Sequence, residues 1–188
     1  MENLNSYKKY YFLEDYLFGE VSNNFNKNHC LTTEEFFAIV IWKRNASKTK
    51  IKNGLLNKNK SVNDLSIEIC KAKTPQEKLN ILTSIPQIGI SIASAILAVC
   101  YPNDFTIVDI RACNSLQKEP FCVADFPYER FVFKNDASKK LYLRYVDKCK
   151  ELSSQKGFCL RDFDRILFGM DWYDGKDGLK ELTQGKCV

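Results

Sequence analysis

The sequence predicts an all-α protein that folds as one domain. Apolar residues recur at helical spacing in several segments, and signals for the start of a helix stand before them. Glycine and proline are sparse, with 8 and 5 positions among 188 residues, and no internal repeat interrupts the pattern. At 45% hydrophobic and 13% aromatic content, the chain has enough apolar side chain for one sizeable core.

Two helices are predicted before residue 45. In the first, over 6–24, these apolar residues share one face: Tyr10, Leu13, Leu17 and Val21. The second begins at Thr32 and Thr33, where Glu34 and Glu35 place negative charge in the first turn. We expect it to end near Arg44.

The next two helices have clear N-terminal signals. Ser61 is a candidate cap for a helix over 61–73. Thr74 is then followed by Pro75 at the first helical position and by Glu77, which completes a capping-box pattern. This helix is expected to reach about Ser84.

The region 82–116 alternates helices with short breaks. The run Ile85-Pro86-Gln87-Ile88-Gly89 ends one helix, and the next begins near Ser91. Its N-terminus would present free backbone N–H groups and the positive end of the helix dipole to solvent, which suits a phosphate. After a break at 101–104, Asp109 precedes a further helix. Taken alone, the turn at 85–89 is more typical of an ordinary helical hairpin.

The C-terminal third is predicted to begin with an irregular aromatic segment at 121–135. A long helix over 138–153 follows, with these residues facing inward: Leu141, Tyr145, Val146 and Cys149. A last helix is expected near 160–170, and 176–188 is expected to form a loose tail.

Charge and cysteine content restrict the class of protein. The net charge is +5, and five cationic residues crowd into ten positions: Lys43, Arg44, Lys48, Lys50 and Lys52. This cluster suits a polyanion, and a solvated surface is the alternative. The eight cysteines lack the close pairing of zinc sites and the tight run of an iron–sulfur site, so we expect neither metal. Because the sequence has no export signal and enough apolar residues for a full core, we expect reduced thiols, most of them buried.

The N-terminus 1–9 is polar, and no segment approaches the roughly 20 apolar residues that span a bilayer. We therefore expect a monomeric intracellular protein, in the bacterial cytoplasm or nucleoid or in the eukaryotic nucleus, with no membrane partner.

The hairpin and the segment after it resemble a known family. The run from Ile85 to Gly89, followed by Pro102, Phe105 and Val108-Asp109, is similar to the helix-hairpin-helix and Gly/Pro-Asp (HhH-GPD) signature of DNA glycosylases. The resemblance implies a compact two-lobed helical bundle. One lobe would cover 30–117 with the hairpin at 82–97, and the other 1–29 plus 118–175.

The same resemblance implies a function. A monofunctional glycosylase of base-excision repair would flip a damaged or modified base out of double-stranded DNA, and Asp109 would stabilise the oxocarbenium-like state as the N-glycosidic bond breaks. The glycosylase/lyase members carry a nucleophilic lysine where this chain has Ser91, so we expect no strand cleavage through a Schiff base. The excised base is not predicted.

The residues implied for each role are as follows. The expected DNA contacts are Ile85, Pro86, Gln87, Ile88, Gly89, Ser91, Lys43, Arg44, Lys48 and Arg111. Candidates for the base pocket are Trp42 and Asp162. The backbone carbonyls that could hold a structural K⁺ or Na⁺ are those of Thr83, Ile85 and Ile88; no other cofactor is expected. Gln87 replaces the first hairpin glycine and would adopt a positive φ.

Alternatives stay open for several of these residues. Asp109 could cap the following helix, Arg111 could form a structural ion pair, and Trp42 could belong to the core. At the level of the whole protein, the alternatives are a DNA-binding protein without catalysis and a helical module for protein interaction.

Overall fold

The architecture comes from a computed structural model that describes Leu4 and residues 14–174. All regular secondary structure in this part of the chain is helical, which confirms the all-α prediction. The α-helices are α1 Ser22–Asn28, α2 Thr33–Arg44, α3 Lys48–Asn57, α4 Val62–Lys71, α5 Pro75–Thr83, α6 Ile90–Cys100, α7 Ile110–Gln117, α8 Asp136–Gln155 and α9 Leu160–Asp174. A π-helical turn, Tyr16–Val21, leads into α1, and short 3₁₀ turns lie at Asn45–Ser47 and Tyr128–Phe131.

Local capping determines where three of these helices begin. Thr32, Ser61 and Thr74 each accept a hydrogen bond from the backbone N–H three residues later, and the acidic side chain at that position bonds back to the cap. The predicted capping box at Thr74 is therefore confirmed, and Ser61 caps α4 as expected. Each box satisfies two backbone groups that the first helical turn leaves without partners.

The first and last helices extend beyond their predicted ends. Leu17 and Val21 are buried as predicted, and the helix continues to Asn28, where His29 ends it with a left-handed backbone at φ 56°. Helix α9 extends to Asp174. Tyr10, Leu13 and the predicted tail 176–188 lie outside the described residues.

Helix α3 occupies a segment for which no separate helix was predicted. Its lysines obscure an apolar face on which Ile51 and Leu55 are buried four residues apart. Gly54 on this helix packs against the hairpin turn so closely that a Cβ would lie 3.0 Å from the Pro86 carbonyl oxygen. Helix α3 therefore supports the turn from behind.

Helix α6 forms the centre of the molecule. Ten of its eleven residues are buried, and it packs against α2, α5 and α8. Such a helix is apolar on all sides because each side faces protein. One hydrophobic cluster connects the described helices, and the division into two lobes stays a prediction. None of the described helices is long and apolar enough to cross a membrane.

The cysteines in the described residues are free thiols, as expected. Cys100, Cys113 and Cys149 are buried, two others are partly buried, and Cys122 and Cys159 are exposed, so burial is less general than predicted. Cys187 lies outside the described residues. The described residues contain no group of three His, Cys, Asp or Glu side chains that could hold a metal ion.

Candidate functional site

A cleft of about 1000 Å³ opens where the end of α2, the hairpin turn and the start of α7 meet. It brings together most of the residues predicted for the site, which are Trp42, Lys43, Arg44, Pro86, Gln87, Gly89, Ser91, Asp109 and Arg111. These residues come from three separate parts of the sequence. Two further elements complete the walls: the irregular segment around the Tyr128–Phe131 turn, and α9.

Asp109 lies at the N-terminus of α7 and uses both carboxylate oxygens. Oδ1 accepts a hydrogen bond of 2.9 Å from the Ala112 backbone N–H, so the capping role is confirmed. Oδ2 forms an ion pair with Lys43, whose Nζ lies 3.2 Å away. The Asp109 side chain is 18% exposed, and it is the one acidic residue among the described residues that line the cleft.

The backbone that leads to Asp109 is fixed by buried side chains. The hydroxyl groups of Tyr142 and Tyr145 on α8 donate to the carbonyl oxygens of Thr106 and Ile107, each at 3.0 Å. On the other side, the Val108 N–H donates to the hydroxyl of Ser94 on α6 at 3.2 Å. Three successive residues before Asp109 are therefore held from two helices, which limits how far its carboxylate can move.

The two tyrosines remain neutral hydrogen-bond donors at any ordinary pH. Both are fully buried, and burial raises the pKa of Tyr142 and of Tyr145 well above its usual range.

The hairpin turn has the predicted unusual backbone. Gln87 adopts a left-handed conformation with φ 69°, which costs a non-glycine residue about 1–2 kcal/mol. Gly89 is the N-cap of α6 and no side chain caps this end in the described structure. A Cβ built on Gly89 would meet nothing within 4 Å, so the space beside this residue, at the N-terminus of α6, is open to the cleft.

The predicted monovalent cation does not fit the turn. The Ile85 carbonyl oxygen accepts hydrogen bonds from the Ile88 N–H at 3.2 Å and from the Lys134 ammonium at 3.0 Å. A K⁺ or Na⁺ on the carbonyls of Thr83, Ile85 and Ile88 would compete with that ammonium for the same oxygen and repel it. Burial, with Lys139 nearby, lowers the pKa of Lys134.

Ile85 and Ile88 contribute to the turn by packing. The two residues, backbone included, are 1% and 0% exposed and do not line the cleft, so neither presents a surface to DNA in this structure.

Arg111 has a structural role within the cleft wall. Its guanidinium stacks 4.3 Å from the centre of the Trp172 ring and forms a 3.4 Å ion pair with Asp171, which joins α7 to α9. Trp42 is half-buried, with its ring edge-on to Phe18 at 6.2 Å, and it also lines the cleft.

Two predicted residues lie away from the cleft. The Lys48 ammonium donates to the Asn45 side chain at 2.7 Å on an exposed surface. Asp162 pairs with Arg165 at 3.8 Å near the start of α9 and does not line the cleft, so the structure does not bring it together with Asp109.

Asp164, two positions later, is buried and interacts electrostatically with Asp109. Its side chain and that of Glu14 both accept hydrogen bonds from Arg161. Burial raises the pKa of Asp164 to about 6, and the negative charge of Asp109 adds to the shift while Arg161 opposes it.

Sequence reasoning did not assign eight residues that line the cleft. They are Ile90, Ile92, Ile110, Tyr128, Phe131, Val132, Lys134 and Phe168. Four belong to the irregular segment that carried no periodic signal. Among the described lining residues, the basic side chains are Lys43, Arg44, Arg111 and Lys134, so positive charge exceeds negative charge around Asp109.

No model of a known protein family, no curated protein and no solved structure matches this chain.

Proposed function

We propose that the protein is a DNA glycosylase that removes a damaged or modified base by cleaving its N-glycosidic bond. The observation that carries the proposal is the placement of one carboxylate, Asp109, in the same basic cleft as the uncapped N-terminus of α6. The first is the group that such a reaction needs, and the second is a site for the phosphate beside the target nucleotide.

Phosphate binding follows from the geometry of the α6 N-terminus. The first backbone N–H groups of the helix have no partner within it, and the open space at Gly89 lets a phosphate oxygen approach them. Arg44 and Lys134 add positive charge along the same cleft. Binding of this kind releases counterions, so we expect affinity for duplex DNA to fall steeply with salt.

The cleft also suits an extrahelical base. Aromatic surfaces from Trp42 and Phe168 line it and offer stacking to a base that has left the duplex. Once the base begins to depart, positive charge develops on the sugar. The carboxylate of Asp109 would stabilise that charge from a partly buried position, where electrostatic attraction is stronger than in water.

Asp109→Asn tests the catalytic role without removing the cap of α7, because asparagine is as good an N-cap as aspartate. Duplex oligonucleotides carrying oxidised, alkylated, deaminated and other modified bases would be incubated with each protein, and alkali would convert abasic sites into strand breaks. We expect the wild type to release one class of base. Asp109→Asn should retain DNA affinity and lose base release by about 100-fold or more.

Asp104→Asn is a matched control, since Asp104 is an exposed acid in the preceding loop, and it should behave as the wild type. Unchanged base release by Asp109→Asn would contradict the proposal.

One observation favours a second candidate, a DNA-binding protein without turnover. Both oxygens of Asp109 are already engaged, one by the α7 backbone and one by Lys43. Salt-dependent binding with no base released from any substrate would support this candidate. Absence of DNA affinity at low salt would instead leave the protein-interaction module.

A further inference from the structure

We propose that Lys43 is an amine nucleophile and gives the protein a lyase activity at abasic sites. The inference rests on the proposed function for its substrate, DNA with a base removed. It differs from the expectation based on Ser91, which concerned only the hairpin position. In the structure, the amine that lies beside the Asp109 carboxylate is that of Lys43, on α2.

The placement of Lys43 is unusual for a surface lysine. It lies one residue before the end of α2, yet its side chain is only 10% exposed and its stem is packed inside the protein. The ammonium lies at the cleft wall, 3.2 Å from Oδ2 of Asp109, and lysine and aspartate are 66 residues apart in sequence. The packed stem leaves the amine few alternative positions.

This pair has the components of Schiff-base chemistry. Lysine attacks carbon as the neutral amine, and a carboxylate oxygen in hydrogen-bond contact with Nζ can accept the proton that must leave. The other three basic groups that line the cleft are less suitable, because the Lys134 ammonium donates to the Ile85 carbonyl, and Arg44 and Arg111 have no nucleophilic amine.

The reaction balances as follows. The Asp109 carboxylate takes one proton from the Lys43 ammonium, and the neutral Nζ adds to the C1′ aldehyde of the ring-opened sugar. The resulting carbinolamine takes that proton back from the Asp109 carboxyl group and loses water, which gives a protonated imine. The Asp109 carboxylate then removes a proton from C2′, the electrons of that C–H bond form the C2′–C3′ double bond, and the C3′–O bond breaks with its electrons leaving on the 3′ phosphate. Water then hydrolyses the imine, which restores the Lys43 amine and releases an unsaturated aldehyde on the cut strand.

The experiment uses a duplex with one preformed abasic site, so that it does not depend on base release. Borohydride reduces the imine to a stable amine, and the covalent protein–DNA adduct is measured on a denaturing gel. Strand cleavage without borohydride is measured in parallel. Peptide mass spectrometry of the adduct identifies the attached residue.

Lys43→Arg is the informative variant, because arginine retains the positive charge beside Asp109 and cannot form the imine. Lys50→Arg is its matched control, since Lys50 is an exposed residue of α3 in the same basic run and does not line the cleft. We expect wild type and Lys50→Arg to form the adduct and cut the strand. Lys43→Arg should lose both by at least about 100-fold, measured with protein in saturating excess over DNA so that a change in affinity does not enter the comparison.

The outcomes separate this inference from the proposed function. An adduct mapped to Lys43 supports the inference even if no modified base is released, in which case the glycosylase proposal fails alone. Base release by the wild type without any adduct overturns the inference and leaves the glycosylase proposal intact. An adduct of equal yield in Lys43→Arg, or one mapped to another residue, also overturns it.

Discussion

The buried acid Asp164 makes a quantitative prediction about stability and pH. It is 3% exposed, and Arg161 bridges it to Glu14, so two buried carboxyl groups share one guanidinium. Burial raises the pKa of Asp164 from 3.8 to about 6. The folded protein therefore binds this proton more tightly than the unfolded chain does, and protonation of Asp164 stabilises the fold.

The sign and size follow from that difference. Stability from the bound proton is fully present below pH 3.8, decreases as the pH rises toward 6, and is absent at higher pH. The shift is about two pKa units, and each unit corresponds to about 1.4 kcal/mol, so the free energy of unfolding should fall by about 3 kcal/mol through this group.

Asp164→Asn isolates the effect, because asparagine resembles the protonated acid in shape and does not titrate. Urea denaturation of wild type and variant between pH 4 and 8 gives the difference in their free energies of unfolding. We expect wild type to lose stability relative to the variant as the pH rises from 4 to 6. The prediction is refuted if the difference in free energy of unfolding between the two proteins does not change with pH, or if wild type becomes the more stable one as the pH rises. Either result would show that attraction to Arg161 outweighs the effect of burial on Asp164.

Three further predictions concern the hairpin. Gly89→Ala should change the free energy of unfolding by less than about 1 kcal/mol, because the added methyl enters only the open space before α6. It should weaken DNA binding in a fluorescence titration. In Gly54→Ala the added methyl would press on Pro86, so this variant should instead have a lower melting temperature. Gln87→Gly should raise the free energy of unfolding, measured in urea, by up to about 1 kcal/mol. The reason is that relief of the backbone strain at φ 69° outweighs the larger conformational entropy that glycine has in the unfolded chain. A loss of stability would contradict the assigned strain. DNA affinity of the wild type should stay the same when tetramethylammonium chloride replaces KCl at equal ionic strength, because the Lys134 ammonium already occupies the Ile85 carbonyl; a requirement for K⁺ would disprove this.

Features that depend on neighbouring residues were predictable. Thr74, Pro75 and Glu77 define a helix start by hydrogen bonds within three residues, and the structure has that capping box. The capping role of Asp109 follows in the same way from the residues beside it. The positive φ of Gln87 was expected from the resemblance of the hairpin to the HhH-GPD signature, in which a glycine holds that position. Helix α3 was missed because its lysines surround two apolar positions, Ile51 and Leu55, that become buried only in the folded protein.

Features that depend on distant residues were decided by tertiary structure. Asp162 and Asp164 are both acids near the start of one helix, and packing alone determines that Asp164 is buried and interacts electrostatically with Asp109 while Asp162 pairs with Arg165. The amine of Lys134 likewise reaches a carbonyl 49 residues away, from a segment without a periodic pattern.

The sequence by itself determined the all-α class, the helix starts and the carboxylate that opens α7, because capping and helical periodicity act over a few residues. Tertiary structure decided that Lys43, 66 residues from Asp109, meets that carboxylate in one cleft. A contact across that distance depends on how α2, α6 and α7 pack together, and no local pattern of residues encodes it.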